Sequence, residues 1–173
     1  MRLFVCQMLN MLGRTGVFAI TIVLGQQAAS VPALAAGLDP QEITELEERN
    51  IGPVVTDEHT GIAAGGLDPV AYFIQKKTVP GQEDIQATFA QGTFLFSNSA
   101  NRDIFLKSPQ VYIARFGGLC AMQMAKGRSV EGNPLIWALY QDRLFFFHSK
   151  QLRDEWLKQP AGFALQAEDE WSR

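Results

Sequence analysis

The chain has 173 residues, of which 47% are hydrophobic and 19% are charged. This length and composition are typical of a globular protein with one well-filled core, and they exclude a disordered chain. The formal net charge is -3, and no run of basic residues is longer than Lys76-Lys77. Nucleic acid is therefore excluded as a partner.

The first 36 residues have the features of a cleavable signal peptide. They contain Arg2 and Arg14 but no acidic residue, and residues 17–24 are almost entirely apolar. Ala33-Leu34-Ala35 then supplies the small residues that signal peptidase accepts. The apolar stretch is shorter than the roughly 20 residues that span a bilayer, which disfavours an uncleaved anchor. We expect a periplasmic or secreted protein with no permanent membrane anchor after cleavage.

The rest of the chain divides into an extension and a domain. Residues 37–60 are predicted to be an N-terminal extension, because an acidic stretch is followed by one rich in Gly and small residues. Residues 61–173 are the predicted domain. Near its start, Asp68 is placed to cap a short helix whose first residue is Pro69.

Two β-hairpins are predicted within the domain. Apolar residues alternate over residues 85–97 on either side of Gln91-Gly92, and two further apolar segments, 135–140 and 144–147, flank a polar turn. Helical spacing follows each hairpin. The sequence thus predicts an α+β fold in which two successive β-hairpin-plus-helix units form a small antiparallel sheet with helices packed on it. No repeat period is evident.

Two glycine-containing motifs carry a resemblance to a known family. The first is Gly66-Leu67-Asp68-Pro69-Val70-Ala71-Tyr72-Phe73, with Asp68, Pro69 and Tyr72 as its motif residues, and the second is Gly117-Gly118-Leu119-Cys120-Ala121, which begins with Gly117 and Gly118. Over roughly residues 60–173 the chain resembles the YHS domain family, and in particular a group of exported bacterial YHS proteins. The resemblance implies a small domain, and it implies no assigned biochemical activity.

Some YHS domains are associated with heavy metals, and the resemblance identifies the positions at which those members carry thiols. The positions are Ala71, Ser97 and Asn101 in this chain. None of the three side chains is a thiolate, so a soft-metal site is not expected at that place.

Cys120 is the residue at which chemistry is expected. Cys6 lies in the predicted signal peptide, so the mature chain has no second cysteine with which Cys120 could form a disulfide. If Leu119 begins a helix, the first backbone N–H groups of that helix would stabilise a thiolate and make the sulfur a better nucleophile or ligand. We therefore expect Cys120 to be partly exposed. The alternative is a buried, inert thiol packed among small residues.

Three other side chains are candidate partners of this sulfur. Met122 and Met124 follow Cys120 closely, and soft sulfur ligands suit Cu(I), so copper or another soft metal is a candidate cofactor. On a helix Cys120 and Met124 share a face, whereas Met122 points elsewhere. Core filling is the alternative for both methionines. His148 ends the second hairpin and would approach Cys120 if that hairpin packs on residues 119–125.

These features are compatible with three functions. The first is a non-enzymatic binding module that holds a metal ion, a small ligand or a protein near Cys120, Met124 and His148. The second is a thiol-dependent enzyme or redox protein that uses Cys120. The third is a purely structural or protein-interaction domain in which Cys120 is buried. We favour the first and assign no catalytic residue, because no acid/base constellation or Cys-x-x-Cys pair supports catalysis.

Overall fold

The computed structural model describes residues 51–173. The predicted signal peptide, its cleavage site and residues 37–50 of the predicted extension lie outside the described residues. Among residues 51–173, none of the helices has the length and hydropathy needed to cross a membrane.

The described chain contains two hairpins, each accompanied by short helices. The first group is a 3-10 turn (Ala64–Gly66), α1 (Pro69–Ile74), β1 (Gln82–Phe89), β2 (Gly92–Phe96), α2 (Ser99–Lys107) and α3 (Pro109–Tyr112). The second group is a 3-10 turn (Arg115–Gly118), α4 (Ala121–Met124), β3 (Asn133–Tyr140), β4 (Arg143–Phe147), α5 (Lys150–Trp156) and α6 (Pro160–Trp171). The predicted α+β fold with two successive hairpin-plus-helix units is confirmed. Each hairpin is a separate two-stranded antiparallel sheet.

Helix caps determine where the helices after each hairpin begin. The side chain of Asn98 accepts a hydrogen bond of 2.9 Å from the backbone N–H of Asn101 and so caps α2. Ser149 caps α5 in the same way, through a bond of 3.3 Å from the N–H of Leu152. These side chains satisfy N–H groups that have no partner inside the helix.

Two-residue turns close both hairpins. Ala90-Gln91 and Gln141-Asp142 all have positive φ, between 47° and 63°. Turns of this kind match the right-handed twist of the paired strands, and this is why hairpins favour them in spite of the strain on residues other than glycine. The first turn therefore lies one residue before the predicted Gln91-Gly92, and Gly92 begins β2.

The two halves of the described chain have the same local structure, although the sequence shows no evident period. In the first half, Asp68 N donates to Val79 O and Gly81 N donates to Gly66 O. In the second, Cys120 N donates to Val130 O and Gly132 N donates to Gly118 O. The hairpins share one register, including an irregularity between Gln82 and Gln86 that recurs between Asn133 and Trp137. We call residues 64–112 the first repeat and residues 115–171 the second repeat.

Each repeat has its own aromatic core. In the first repeat, the Phe105 ring lies 5.0 to 6.4 Å from the rings of three hairpin residues, Phe89, Phe94 and Phe96. In the second repeat, the Trp156 ring lies 4.9 to 5.7 Å from the residues at the same three hairpin positions, Tyr140, Phe145 and Phe147. Phe105 and Trp156 are both completely buried. In both repeats, one large aromatic ring thus packs a helix against its hairpin.

A third cluster of buried residues joins the repeats. Tyr72 belongs to α1, and its ring lies 5.1 Å from the ring of Trp137 and 5.7 Å from the ring of Phe146. Its hydroxyl donates a hydrogen bond of 2.9 Å to the carbonyl oxygen of Pro134. Because the ring is completely buried, burial raises the pKa of the Tyr72 phenol above its ordinary value. Tyr72 therefore joins the first repeat to the second.

We expect Tyr72→Phe to lower the free energy of unfolding by about 1 kcal/mol at pH 7, because the Pro134 carbonyl loses its donor while the ring packing is kept. Urea unfolding followed by fluorescence measures this loss. Tyr140→Phe is the matched control, since no described residue forms a hydrogen bond with the Tyr140 hydroxyl.

The difference in the free energy of unfolding between the wild-type chain and Tyr72→Phe should shrink as the pH rises past about 10. The unfolded phenol ionises there while the buried one keeps its proton, so the folded state binds more protons and the wild type loses stability with rising pH. An unchanged difference at pH 11 would argue against the raised pKa.

Candidate functional site

Asp68 is the most completely hydrogen-bonded side chain of the described chain, and it is fully buried. As predicted, it caps α1, with Oδ1 accepting from the N–H groups of Val70 at 2.9 Å and Ala71 at 3.3 Å. Its Oδ2 accepts from Ser97 N at 2.8 Å, Ser97 Oγ at 2.6 Å and Asn101 Nδ2 at 2.7 Å. Five donors thus satisfy one buried carboxylate, which ties α1 to β2 and α2.

The three positions at which the resemblance to YHS domains would place thiols surround this carboxylate. Ala71 contributes its backbone N–H, while Ser97 and Asn101 contribute side-chain donors. Among the described residues there is no group of three or more His, Cys, Asp or Glu side chains that could hold a metal ion. A hydrogen-bond network around the Asp68 carboxylate joins these three positions. The sequence alone did not predict this network.

Gly117 and Gly118 bring the backbone of the second repeat against the segment that precedes the first. A Cβ on Gly117 would lie 1.9 Å from the carbonyl oxygen of Pro53, and its φ of +61° is strained for other residues. The carbonyl oxygen of Gly117 accepts a hydrogen bond of 2.8 Å from Val55 N. Gly117 therefore lets the backbone approach residues 53–55 of the chain itself.

Cys120 is completely buried, so the expectation of partial exposure is wrong. It is the N-cap of α4, not a first-turn residue, and its side chain makes no capping hydrogen bond. It also forms a parallel bridge with Phe146 of β4. The sulfur packs in the apolar core of the second repeat, where a reagent or substrate has no access to it.

The candidate partners of Cys120 lie in two different environments. Met122 and Met124 belong to the same buried cluster as Cys120, with 0% and 4% exposure. His148 is exposed, and its Nδ1 lies 3.1 Å from the carbonyl oxygen of Glu131. The hairpin does pack beside Cys120, as the bridge to Phe146 shows, but no hydrogen bond joins His148 to Cys120. Cys120, Met122 and Met124 thus belong to one buried cluster, and His148 lies outside that cluster.

A cavity of about 180 Å³ lies where the two repeats meet, next to Gly117 and Gly118. Residues of both repeats and of the 54–57 segment line it. Much of its wall is apolar, and the wall residues include Val54, Val55, Ile62, Phe94, Leu144 and Phe146. A concave site with apolar and polar wall residues at the junction of two structural units is a common place for a small molecule to bind.

Two carboxylates line this cavity. Asp57 is exposed, and hydrogen bonds from the backbone N–H and the hydroxyl of Thr60, with a third from the backbone N–H of His59, hold its pKa below the usual value. All three bonds reach Oδ1, at 2.8, 2.9 and 3.1 Å. Glu131 is also exposed. The sequence did not indicate that Asp57 and Glu131 line a cavity, because an acidic residue in a turn has no distinctive pattern.

A second, more open concavity of about 460 Å³ lies beside the turn of the second hairpin. Arg115 and Arg143 line it, but both guanidinium groups already pair with Glu168 of α6. These pairs stabilise the packing of α6 and leave less charge for a ligand. The cavity between the repeats is therefore the better candidate site.

Comparison with known proteins finds no matching family model, no matching curated protein and no matching solved structure. The resemblance to the YHS family therefore stays a prediction that depends on the motif residues.

We expect Asp68→Asn to lower the free energy of unfolding by about 3 kcal/mol, because the new amide NH2 would face buried donors. Asp84→Asn, on the exposed face of β1, is the matched control and should change little. Chemical denaturation of the three proteins makes the comparison. Equal stability of Asp68→Asn and the wild type would show that the carboxylate network does not determine the fold.

We expect Cys120 to react with a thiol reagent only after denaturation, in a chain whose other cysteine is removed by Cys6→Ser. In this background, Cys120→Ser should cost about 2 kcal/mol because it buries a hydroxyl, and Cys120→Ala should cost less. Absorbance at 412 nm with Ellman's reagent, with and without guanidinium, measures the accessibility. Rapid labelling of the native protein would contradict the buried position.

Proposed function

We propose that this chain is an exported, YHS-like binding module, without catalytic activity, whose small ligand occupies the cavity between the two repeats. The observation that carries the proposal is the cavity of about 180 Å³ lined by Gly117 and Gly118 of the second motif. The sequence favoured a ligand near Cys120. Because the sulfur of Cys120 is buried, we place the proposed site on the other side of the same motif, at Gly117 and Gly118.

The size of the cavity is suited to a small organic molecule. An apolar cavity of about 150 Å³ is large enough to hold benzene. The present cavity is also open to solvent on one side, since exposed residues such as Asp57 and Glu131 belong to its lining. A ligand can therefore enter without unfolding of either repeat.

The small residues of the wall maintain the cavity. Ala114, Gly117, Gly118 and Gly132 are all buried and line it. Two close approaches in this wall need glycine: a Cβ on Gly117 would lie 1.9 Å from the Pro53 carbonyl oxygen, and a Cβ on Gly132 would lie 2.6 Å from the Gly118 carbonyl oxygen. The surrounding framework is well packed, because each repeat has its own aromatic core and Tyr72 joins them. A cavity that is already formed between packed elements needs little reorganisation on binding.

The alternative proposal is a domain with a structural or protein-interaction role only. The complete burial of Cys120 favours it over the thiol-dependent enzyme, which needs an accessible sulfur. A domain with only a structural role would not bind a ligand in the cavity. The two proposals therefore differ in whether small molecules bind between the repeats.

We expect a fragment screen by ligand-observed NMR to find compounds that shift the backbone amide signals of Gly117 and Gly118. Val55→Phe should abolish their binding, because the larger ring fills the cavity next to Gly118. Val79→Phe is the matched control, a half-buried valine outside the cavity. An empty screen, or binding that survives Val55→Phe, would leave the structural role.

A further inference from the structure

We propose that the ligand of this cavity is a small organic cation, an amine attached to an apolar or aromatic group. The inference rests on the proposed function, since it names the ligand class for the same site. Three properties of the cavity support it: the sign of its charges, the hydrogen-bonding state of its carboxylates and the aromatic content of its wall.

All the charge on the cavity wall is negative. Asp57 and Glu131 line it, and no lysine or arginine does so among the described residues. Asp57 remains ionised, because the three hydrogen bonds to its Oδ1 hold its pKa low. Two exposed carboxylates in the wall of the cavity attract a cation and repel an anion, so the electrostatics select the ligand by charge.

The carboxylates have unused hydrogen-bonding capacity. The bonds from His59 and Thr60 all reach Oδ1 of Asp57, and no described residue donates to Oδ2. The Glu131 side chain forms no ion pair or hydrogen bond with the described part of the chain. Only its backbone carbonyl is engaged, 3.1 Å from Nδ1 of His148, which holds this loop against the end of β4. An ammonium group, with several donors and no acceptor, matches such oxygens.

The wall behind the carboxylates suits the remainder of such a ligand. Phe94, Tyr112 and Phe146 line the cavity together with aliphatic residues. Aromatic rings attract organic cations through their quadrupoles, and they pack well against an aromatic ligand. The cavity thus combines aromatic and aliphatic side chains with two exposed carboxylates, and an aromatic or alkyl amine has the complementary distribution of charge.

The test compares three probes of similar shape and different charge: benzylamine, benzyl alcohol and benzoate. Each is titrated into the full chain, and the backbone amides of Gly117 and Gly118 are followed by NMR. Benzylamine should bind at least about fivefold more tightly than benzyl alcohol, and benzoate should not bind.

Two variants test the carboxylates. Asp57→Asn keeps the turn, because an asparagine oxygen accepts the same backbone bonds, and Glu131→Gln leaves the backbone contact to His148 unchanged. Each should weaken benzylamine binding by about threefold to fivefold and leave benzyl alcohol unaffected. Glu58→Gln removes a neighbouring exposed carboxylate that does not line the cavity, and it should have no effect.

The outcomes separate this inference from the proposed function. If benzyl alcohol binds as tightly as benzylamine, or if the two variants bind benzylamine like the wild type, the cation inference is wrong while the cavity remains a binding site. If none of the three probes contacts the cavity, the cation inference is again wrong, and the broader fragment screen then decides whether the cavity binds any ligand.

Discussion

The buried carboxylate of Asp68 is the constraint on which the first repeat depends. A fully buried anion is costly unless its lone pairs are satisfied, and here five donors satisfy them. These donors come from α1, from the end of β2 and from α2. The carboxylate can therefore be buried only when all three elements are in place, which couples the start of the domain to its hairpin.

The second repeat places Cys120 where the first has Asp68. Both residues occupy the N-cap position of a short helix, both follow a Gly-Leu pair, and both donate a backbone hydrogen bond of 2.8 Å to a valine carbonyl. The partners differ, because the counterparts of Ser97 and Asn101 are His148 and Leu152. His148 is exposed and Leu152 is apolar, so this position has a thiol in an apolar core in place of a carboxylate in a polar network. Cys120 therefore occupies a buried position that is equivalent to that of Asp68.

The sequence predicted those features that depend on neighbouring residues. The cap at Asp68, the two hairpins and the helices after them follow from local patterns, and the structure has them. The exposure of Cys120 was predicted wrongly, because it depends on packing against β4, which is distant in sequence. The partners of Asp68 were missed for the same reason: Ser97 and Asn101 are ordinary polar residues until the fold brings them to the carboxylate.

The cavity lies between two structurally similar repeats. Each repeat closes its own core around one large ring, Phe105 or Trp156, and the two cores are separate clusters. Tyr72 joins the repeats on one side, and residues 53–57 cover the junction on another by bonding to Gly117. This segment belongs to the predicted extension, yet residues 54–57 of it form part of the cavity wall and contribute Asp57. A binding site could therefore change its ligand through this segment, without disturbing either aromatic core.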